Sequence, residues 1–232
     1  MERKSTRTDM VSDADRDAEA VIEAIILGER PDDGLLAEEG TSSAATSGRT
    51  WVVDPLDGTT NYLYGFPAWA VSIALEDADT PEGTGGGAVG VVLNPLHDEL
   101  FTAVRGQGAR LNGEPIEVSG REELERALVA TGFGYDAGRR ATQASVLARL
   151  LPAVRDIRRA GAASLDLCMV GAGRLDGYYE RGLQRWDWAA GSVIVSEAGG
   201  TLIELDGDPT GLVAASPAIA APLAELAGTR PG

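Results

Sequence analysis

The sequence predicts an α+β fold of layered sheets and helices in two lobes, on three observations. The chain has 232 residues, 44% of them hydrophobic, enough for one large domain or two modest lobes with real cores. Short apolar runs separated by turn signals fill positions 51–104 and read as a β-meander. From 121 to 205, helical periodicities alternate with single strands.

The elements follow in order. Over 14–27, Ala18, Val21, Ile22, Ile25 and Ile26 share one helical face, and Gly28 and Pro31 stop the helix. The small, polar stretch 41–48 reads as a mobile loop. Trp51 to Val53 reads as a short buried strand. Strands at 70–75 and 88–93 are joined by an acidic, glycine-rich loop at 77–87. Another strand covers 99–104, after a turn at Asn94-Pro95. A helix starts over 121–127, a strand follows at 128–132, and a helix covers 142–154. Positions 162–172 are helical, with Leu165, Cys168 and Met169 on one face. A strand at 176–180 precedes a helix at 187–198, ended by Gly199-Gly200, and a last strand at 201–205. The lobe boundary falls near Gly113 to Gly120, giving lobes at 1–116 and 117–232.

Composition excludes several classes. There are 36 acids against 20 bases, a net charge of -16, and Lys4 is the only lysine. Such a field disfavours nucleic acid and anionic membrane surfaces. It fits a salt-rich cytoplasm; a GC-rich genome explains the low lysine but not the acidity. No run reaches the length of a membrane span, no signal peptide opens the chain, and the lone Cys168 precludes an intrachain disulfide. A cytoplasmic protein is the simplest reading.

The chemistry concentrates at Asp54-Pro55-Leu56-Asp57-Gly58-Thr59-Thr60-Asn61. Two carboxylates three residues apart on a stiff turn repel unless a cation sits between them, and hard divalent cations take oxygen ligands. Pro55 and Gly58 shape the turn, and the small residues after it leave backbone N–H groups to meet an anion. The segment reads as a place where metal ions and a phosphate meet.

Other features carry less. Asp13, Asp15 and Asp17 imitate a calcium loop, but Ala18 and Ala24 replace its glycine and closing glutamate, so a solvated helix start is preferred. The run Gly85 to Gly90 fits a dinucleotide pattern yet precedes its strand, so it reads as a loop. His97 reads as a surface turn residue and Cys168 as core. Trp186 and Trp188 read as packing residues, and Glu39 as an outlying acid beside the preferred Glu38.

The turn resembles the first metal-binding signature of the inositol monophosphatase family, in the lithium-sensitive, magnesium-dependent phosphatase superfamily that includes fructose-1,6-bisphosphatases. Trp186-Asp187-Trp188-Ala189-Ala190-Gly191, continuing through Ser196 to Gly200, resembles its second signature, and Glu38-Glu39-Gly40 its acidic pair. The resemblance runs from about Lys4 onward. It implies a layered α-β-α-β-α sandwich, a homodimer, and two or three Mg²⁺ ions held by Glu38, Asp54, the Leu56 carbonyl, Asp57 and Asp187. The absence of histidine and cysteine from that set also points to Mg²⁺ rather than zinc. Four carboxylates and a phosphate dianion carry about six negative charges, which two or three divalent cations would balance.

The same resemblance implies hydrolysis by a metal-activated water. Thr59 and Asp15 would orient that water and Glu38 would act as base. Gly58 and Thr59 would meet the phosphate. Lys4 would lie near it, the helix start at Gly161-Ala162-Ala163 would face the substrate, and Glu180 would contact its hydroxyls. The substrate class is a small polyol or sugar phosphate, led by inositol 1-phosphate and fructose 1,6-bisphosphate. Histidinol phosphate, phosphoadenosine phosphate or NADP are alternatives, as is a catalytically silent metal- and phosphate-binding regulator. Two departures stand out. The family's long first helix is missing before Lys4: either the assigned start lies too far downstream or this is a shortened form, and the apolar face of helix 14–27 is expected to be exposed without it. Tyr135 is similar to the prokaryotic branch, where both leading activities often coexist.

Overall fold

The computed structural model describes residues 2–3, 10–11, 13–78 and 87–228. Glu2–Arg3 (β1) pairs with Met10–Val11 (β2). Asp13–Glu29 forms α1, followed by β3 (Gly34–Ala37), β4 (Ser42–Ser43), β5 (Arg49–Asp57) and α2 (Thr59–Tyr64). The meander continues as β6 (Ala70–Asp77), β7 (Gly87–Asn94), β8 (Glu99–Val104), β9 (Ala109–Leu111) and β10 (Glu114–Ile116). Then come β11 (Leu128–Thr131), α3 (Ala137–Leu150), β12 (Asp156–Arg158), α4 (Ala163–Gly171), β13 (Gly177–Arg181), α5 (Arg185–Glu197), β14 (Thr201–Leu205), β15 (Gly211–Ala215) and α6 (Pro217–Gly228).

Strands β3 to β10 form an eight-stranded sheet, order β10-β9-β8-β7-β6-β5-β3-β4, and the later strands a five-stranded sheet, order β12-β11-β13-β15-β14. Successive side chains on a strand face opposite sides, and that alternation builds the layers. Val53 packs with Ile26, Leu35 and Ala37 under α1, whereas its neighbour Val52 packs with Leu165 of α4 and Ala190 and Ile194 of α5. In the second sheet, Ala130 and Ala214 meet Leu167 and Val195 of that same helix pair. Val129 and Val213 face the other way, onto Leu150 of α3 and Ile219 and Leu223 of α6. The result is a five-layer α-β-α-β-α sandwich. Helices α4 and α5 belong to the second half of the chain, yet they pack on both sheets.

Most of the elements expected from the sequence lie within a few residues of their expected places, whereas the short elements β1, β2, β3, α2, β9, β10 and β12 fall outside that expectation. The other differences have physical causes. The helix expected over 121–127 is extended chain with one 3-10 turn at Leu124–Arg126. Its apolar residues are only Leu124 and Ala127, and burying them takes one turn rather than a helix face. Helix α3 starts five residues earlier than expected, because Asp136 caps it by accepting the Arg139 N–H at 2.8 Å. The stretch 41–48 carries the two-residue strand β4 on the edge of the larger sheet. Strand β15 and helix α6 lie beyond the last element the sequence suggested; α6 is alanine-rich and carries Pro222 internally, so it shows little periodicity.

Two glycines of the dinucleotide-like run have a packing role. A Cβ on Gly87 would overlap the Val193 side chain, and one on Gly90 would overlap the Ala190 carbonyl of α5. Their absence of side chain lets α5 lie directly on β7. Among the described residues, no helix is long and apolar enough to cross a membrane.

Candidate functional site

Strand β5 delivers the two turn acids. Its ladder with β6 pairs Asp54 with Ser72 and Asp57 with Ala70, so three steps on β5 match two on β6. This is a β-bulge at Pro55-Leu56, where proline has no N–H to give the ladder. Acids three apart on a regular strand face opposite sides. The extra residue restores the phase, and both Asp54 and Asp57 line one cavity of about 390 Å³. Gly58 then turns the chain in the left-handed region, φ 92°, where a Cβ would also lie 2.9 Å from the Ala68 carbonyl.

Each acid is held by a distinct partner. Asp54 Oδ1 accepts the Leu56 N–H at 3.0 Å. Asp57 Oδ2 accepts the Ser164 N–H at 2.7 Å and its hydroxyl at 2.6 Å, with a further backbone bond from Ala163. Asp57 therefore caps α4, whose own N-cap residue Ala162 has no side chain to do so. Asp187 sits at the third position of α5 in a capping box with Gln184, and its Oδ2 accepts the Gln184 N–H at 2.6 Å. Glu38 follows β3, and its N–H donates to the Val53 carbonyl at 3.2 Å.

Helix α1 supports the site from beneath with two buried carboxylates one turn apart. Asp15 accepts the Thr59 hydroxyl at 2.9 Å. That hydroxyl also lies 3.2 Å from the Leu56 carbonyl, so one proton is shared between two acceptors. Glu19 accepts the N–H groups of Glu39, at 2.8 Å, and Thr41, at 3.1 Å. It thereby fixes the turn that presents Glu38. Asn61 ties the β5 turn to the distant segment before α4, donating to the Ala68 carbonyl at 2.6 Å and the Ala160 carbonyl at 2.9 Å.

The electrostatics follow from burying like charges together. The Asp54 carboxyl is pushed well above the carboxylate range, first by burial and then by the charges of Glu38, Asp57 and Asp187. Burial raises Asp57 to about 6 against the downward pull of its Ser164 bonds. Asp187 is driven up by burial and by Asp57. Glu180 on β13 rises to about 7 through burial, although the Tyr178 hydroxyl, donating at 2.7 Å, and the Arg159 charge draw it down. Carboxyls raised this way would regain their charge on meeting a cation.

The structure brings Glu38, Asp54, Leu56, Asp57, Gly58, Thr59, Gly161, Ala163, Glu180 and Asp187 to the cavity. Asp15 lies behind Thr59. Ala162 is fully buried in the core and does not line the cavity. The first amides of α4 serve Asp57 rather than standing free for a substrate. Lys4 lies outside the described residues. Trp186 both packs on the core and lines the cavity, whereas Trp188 lies beneath the Arg185 guanidinium at 4.0 Å. His97 bonds Asn94 in a turn, and Cys168 is core.

Sequence reasoning missed Ser164, Glu19, Asn61, Arg139 and Arg159. Asn61 stood in the quoted motif and its polarity beside a turn was a usable signal; the others touch the site only through tertiary contact. Five acids, Glu38, Asp54, Asp57, Glu180 and Asp187, line the cavity with no histidine or cysteine beside them, which fits a hard divalent cation. Among the described residues, no three acid, histidine or cysteine side chains form a closed metal cage; the acids share a cavity rather than a single point.

Comparison with known proteins agrees with this geometry. The model of the inositol monophosphatase family matches residues 1–230. The inositol-1-monophosphatase SuhB of Mycobacterium tuberculosis is 44% identical over 231 residues, covering 94% of this chain and 77% of that protein. The extragenic suppressor protein suhB of Bartonella henselae superposes with a TM-score of 0.88 at 41% identity, over 96% of this chain and 86% of that one. The inositol monophosphatase of Anabaena superposes at 0.85 with 38% identity, over 94% and 87%. A carboxylate-lined cavity in a five-layer sandwich, matched along its whole length, makes this chain a member of the inositol monophosphatase family, a family of generally metal-dependent phosphatases.

Proposed function

We propose that the protein hydrolyses small polyol or sugar phosphomonoesters with Mg²⁺, inositol 1-phosphate and fructose 1,6-bisphosphate being the leading substrates. The observation that carries this reading is the convergence of Glu38, Asp54, Asp57 and Asp187 on a cavity also lined by Thr59, whose hydroxyl is backed by Asp15. Glu38, Asp54, Asp57, Asp187 and the Leu56 carbonyl would hold two or three ions. Bound there, divalent cations would neutralise the acids and supply Lewis-acid activation of water and leaving group.

The protein's own groups do the rest. The Thr59 hydroxyl gives its proton toward Asp15, which leaves its oxygen lone pairs free to accept from a water and orient it. Glu38 is the base for that water's proton. Gly58 and Thr59 bound the phosphate side of the cavity, and Glu180 faces the hydroxyls of the alcohol portion. Localisation in the cytoplasm and assembly as a homodimer belong to the same proposal.

The test is phosphate release from inositol 1-phosphate, fructose 1,6-bisphosphate, histidinol phosphate and phosphoadenosine phosphate, with Mg²⁺ and with EDTA. Mg²⁺-dependent release from either of the first two supports the reading. Metal-independent release, or binding of phosphate without turnover of any substrate, overturns it; the latter is the outcome for a silent regulator.

A further inference from the structure

The cavity walls also carry arginines, in a chain of strongly acidic balance. Arg181 is committed: its Nη1 donates to the Asp206 and Pro209 carbonyls, both at 3.0 Å. Arg159 lies 5.9 Å from the Phe133 ring centroid and faces the buried Glu180 and Asp166. Arg139 differs from both. Its backbone N–H bonds Asp136, but its guanidinium makes no hydrogen bond or ion pair among the described residues.

Space for these side chains is cleared by glycines. A Cβ on Gly134 would lie 2.5 Å from Arg139 Cδ, and one on Gly182 would lie 2.5 Å from Arg139 Nη1. A Cβ on Gly161 would overlap the Arg159 guanidinium. The loop after β11 and the turn after β13 thus form a trough along which Arg139 reaches the cavity. A guanidinium presents a planar fork of donors that suits phosphate oxygens.

We propose that Arg139, with Arg159 as the weaker partner, receives a second phosphate group carried by the substrate away from the ester being cleaved. This rests on the phosphatase reading above and, within its substrate class, ranks small sugar or polyol bisphosphates above monophosphates. The cavity, about 390 Å³, is within the range that encloses such a molecule.

The experiment compares two substrates that differ only in the second phosphate, fructose 1-phosphate and fructose 1,6-bisphosphate. Steady-state phosphate release with Mg²⁺ is measured for the wild type, Arg139→Gln, Arg159→Gln, the double variant and Arg139→Lys. Gly134→Ala is added because it keeps every charge and pushes Arg139 aside. For Arg139→Gln, the bisphosphate-to-monophosphate ratio of kcat/KM is expected to fall roughly tenfold or more, mostly through KM. Arg159→Gln and Gly134→Ala should lower the ratio less, and Arg139→Lys should restore part of it. An unchanged ratio overturns the assignment, whether both substrates lose equally, as they would if Arg139 held the scissile phosphate, or neither loses. Inositol 1-phosphate is run beside them: if the wild type turns it over with Mg²⁺ but neither fructose substrate, this inference fails while the phosphatase reading stands, and if it turns over none of the three, both fail.

Discussion

The β5 turn and the wall built by β11, β13 and the start of α4 line the same cavity, yet they are made in different ways. The turn is local. Asp54, Pro55, Asp57, Gly58, Thr59 and Asn61 lie within eight residues, and a bulge at proline suffices to aim both acids one way. The wall is assembled from positions far apart in sequence, with Gly132, Arg139, Arg159, Ala163 and Glu180 meeting only after the second sheet forms. The turn concentrates negative charge, and the wall carries the arginines. A compact motif sets the chemistry, and dispersed residues set what is recognised and how firmly the motif is held.

The largest expected effect strikes the motif side. Asp54→Asn or Asp187→Asn should lower kcat by roughly a thousandfold or more, since each removes a charged group from the cluster proposed to bind the metal. The fold should persist, because each loses a costly buried charge. Mg²⁺-dependent phosphate release beside a circular dichroism melt checks this, and near-normal turnover in either variant would break the metal assignment.

Next comes the support from α1. Thr59→Val and Asp15→Asn should each reduce kcat by about a hundredfold with a small change in KM, because both disturb one water-orienting hydrogen bond. The double variant should cost little more than either single change. Additive losses in this cycle would show that the two residues do not act as a pair.

The two sides meet at Asp57. Ser164→Ala removes the hydroxyl that donates at 2.6 Å while leaving the backbone bond. The Mg²⁺ concentration for half-maximal activity should rise by roughly tenfold. Glu19→Gln should act in the same direction through Glu38, and more weakly, since an amide oxygen still accepts one of the two N–H bonds. If metal dependence stays unchanged in both, these side chains support the fold only.

The smallest effect is on stability. Folded Asp57 titrates near 6 and Glu180 near 7, against ordinary values of 3.8 and 4.5. The folded state therefore keeps protons that the unfolded chain has already lost, and stability falls as pH rises through that window. In EDTA, Tm should decline between pH 5 and pH 8. Mg²⁺ replaces those protons, so its stabilisation should be larger at pH 8 than at pH 5. A Tm that stays flat or rises with pH in EDTA would contradict the picture of raised carboxyls. Glu180→Gln should flatten the upper part of the slope without abolishing the effect of Mg²⁺.

The five-layer order and the assignment of Asp54, Asp57 and Asp187 as metal ligands came only as implications of the family resemblance, which rests on a recognisable spacing around Asp54 and Asp187; the residues themselves pointed to layered sheets and helices and to a stiff turn carrying two acids. Those residue-level features depend on short-range causes: apolar periodicity, and proline and glycine at a bend. Sequence reasoning also misread two local signals. The acidic start at 121–127 looked helical because propensity outweighed the lack of an apolar face, and Gly87 and Gly90 looked like loop although their task is to admit α5. Tertiary structure alone decided that Asp57 caps α4 through Ser164, that Glu19 steadies the Glu38 turn, and that Arg139 reaches the cavity past Gly134 and Gly182. A buried polar group must find a partner, and which partner stands within three ångströms is set by how two sheets pack on one shared helix layer, a distance no spacing along the chain encodes.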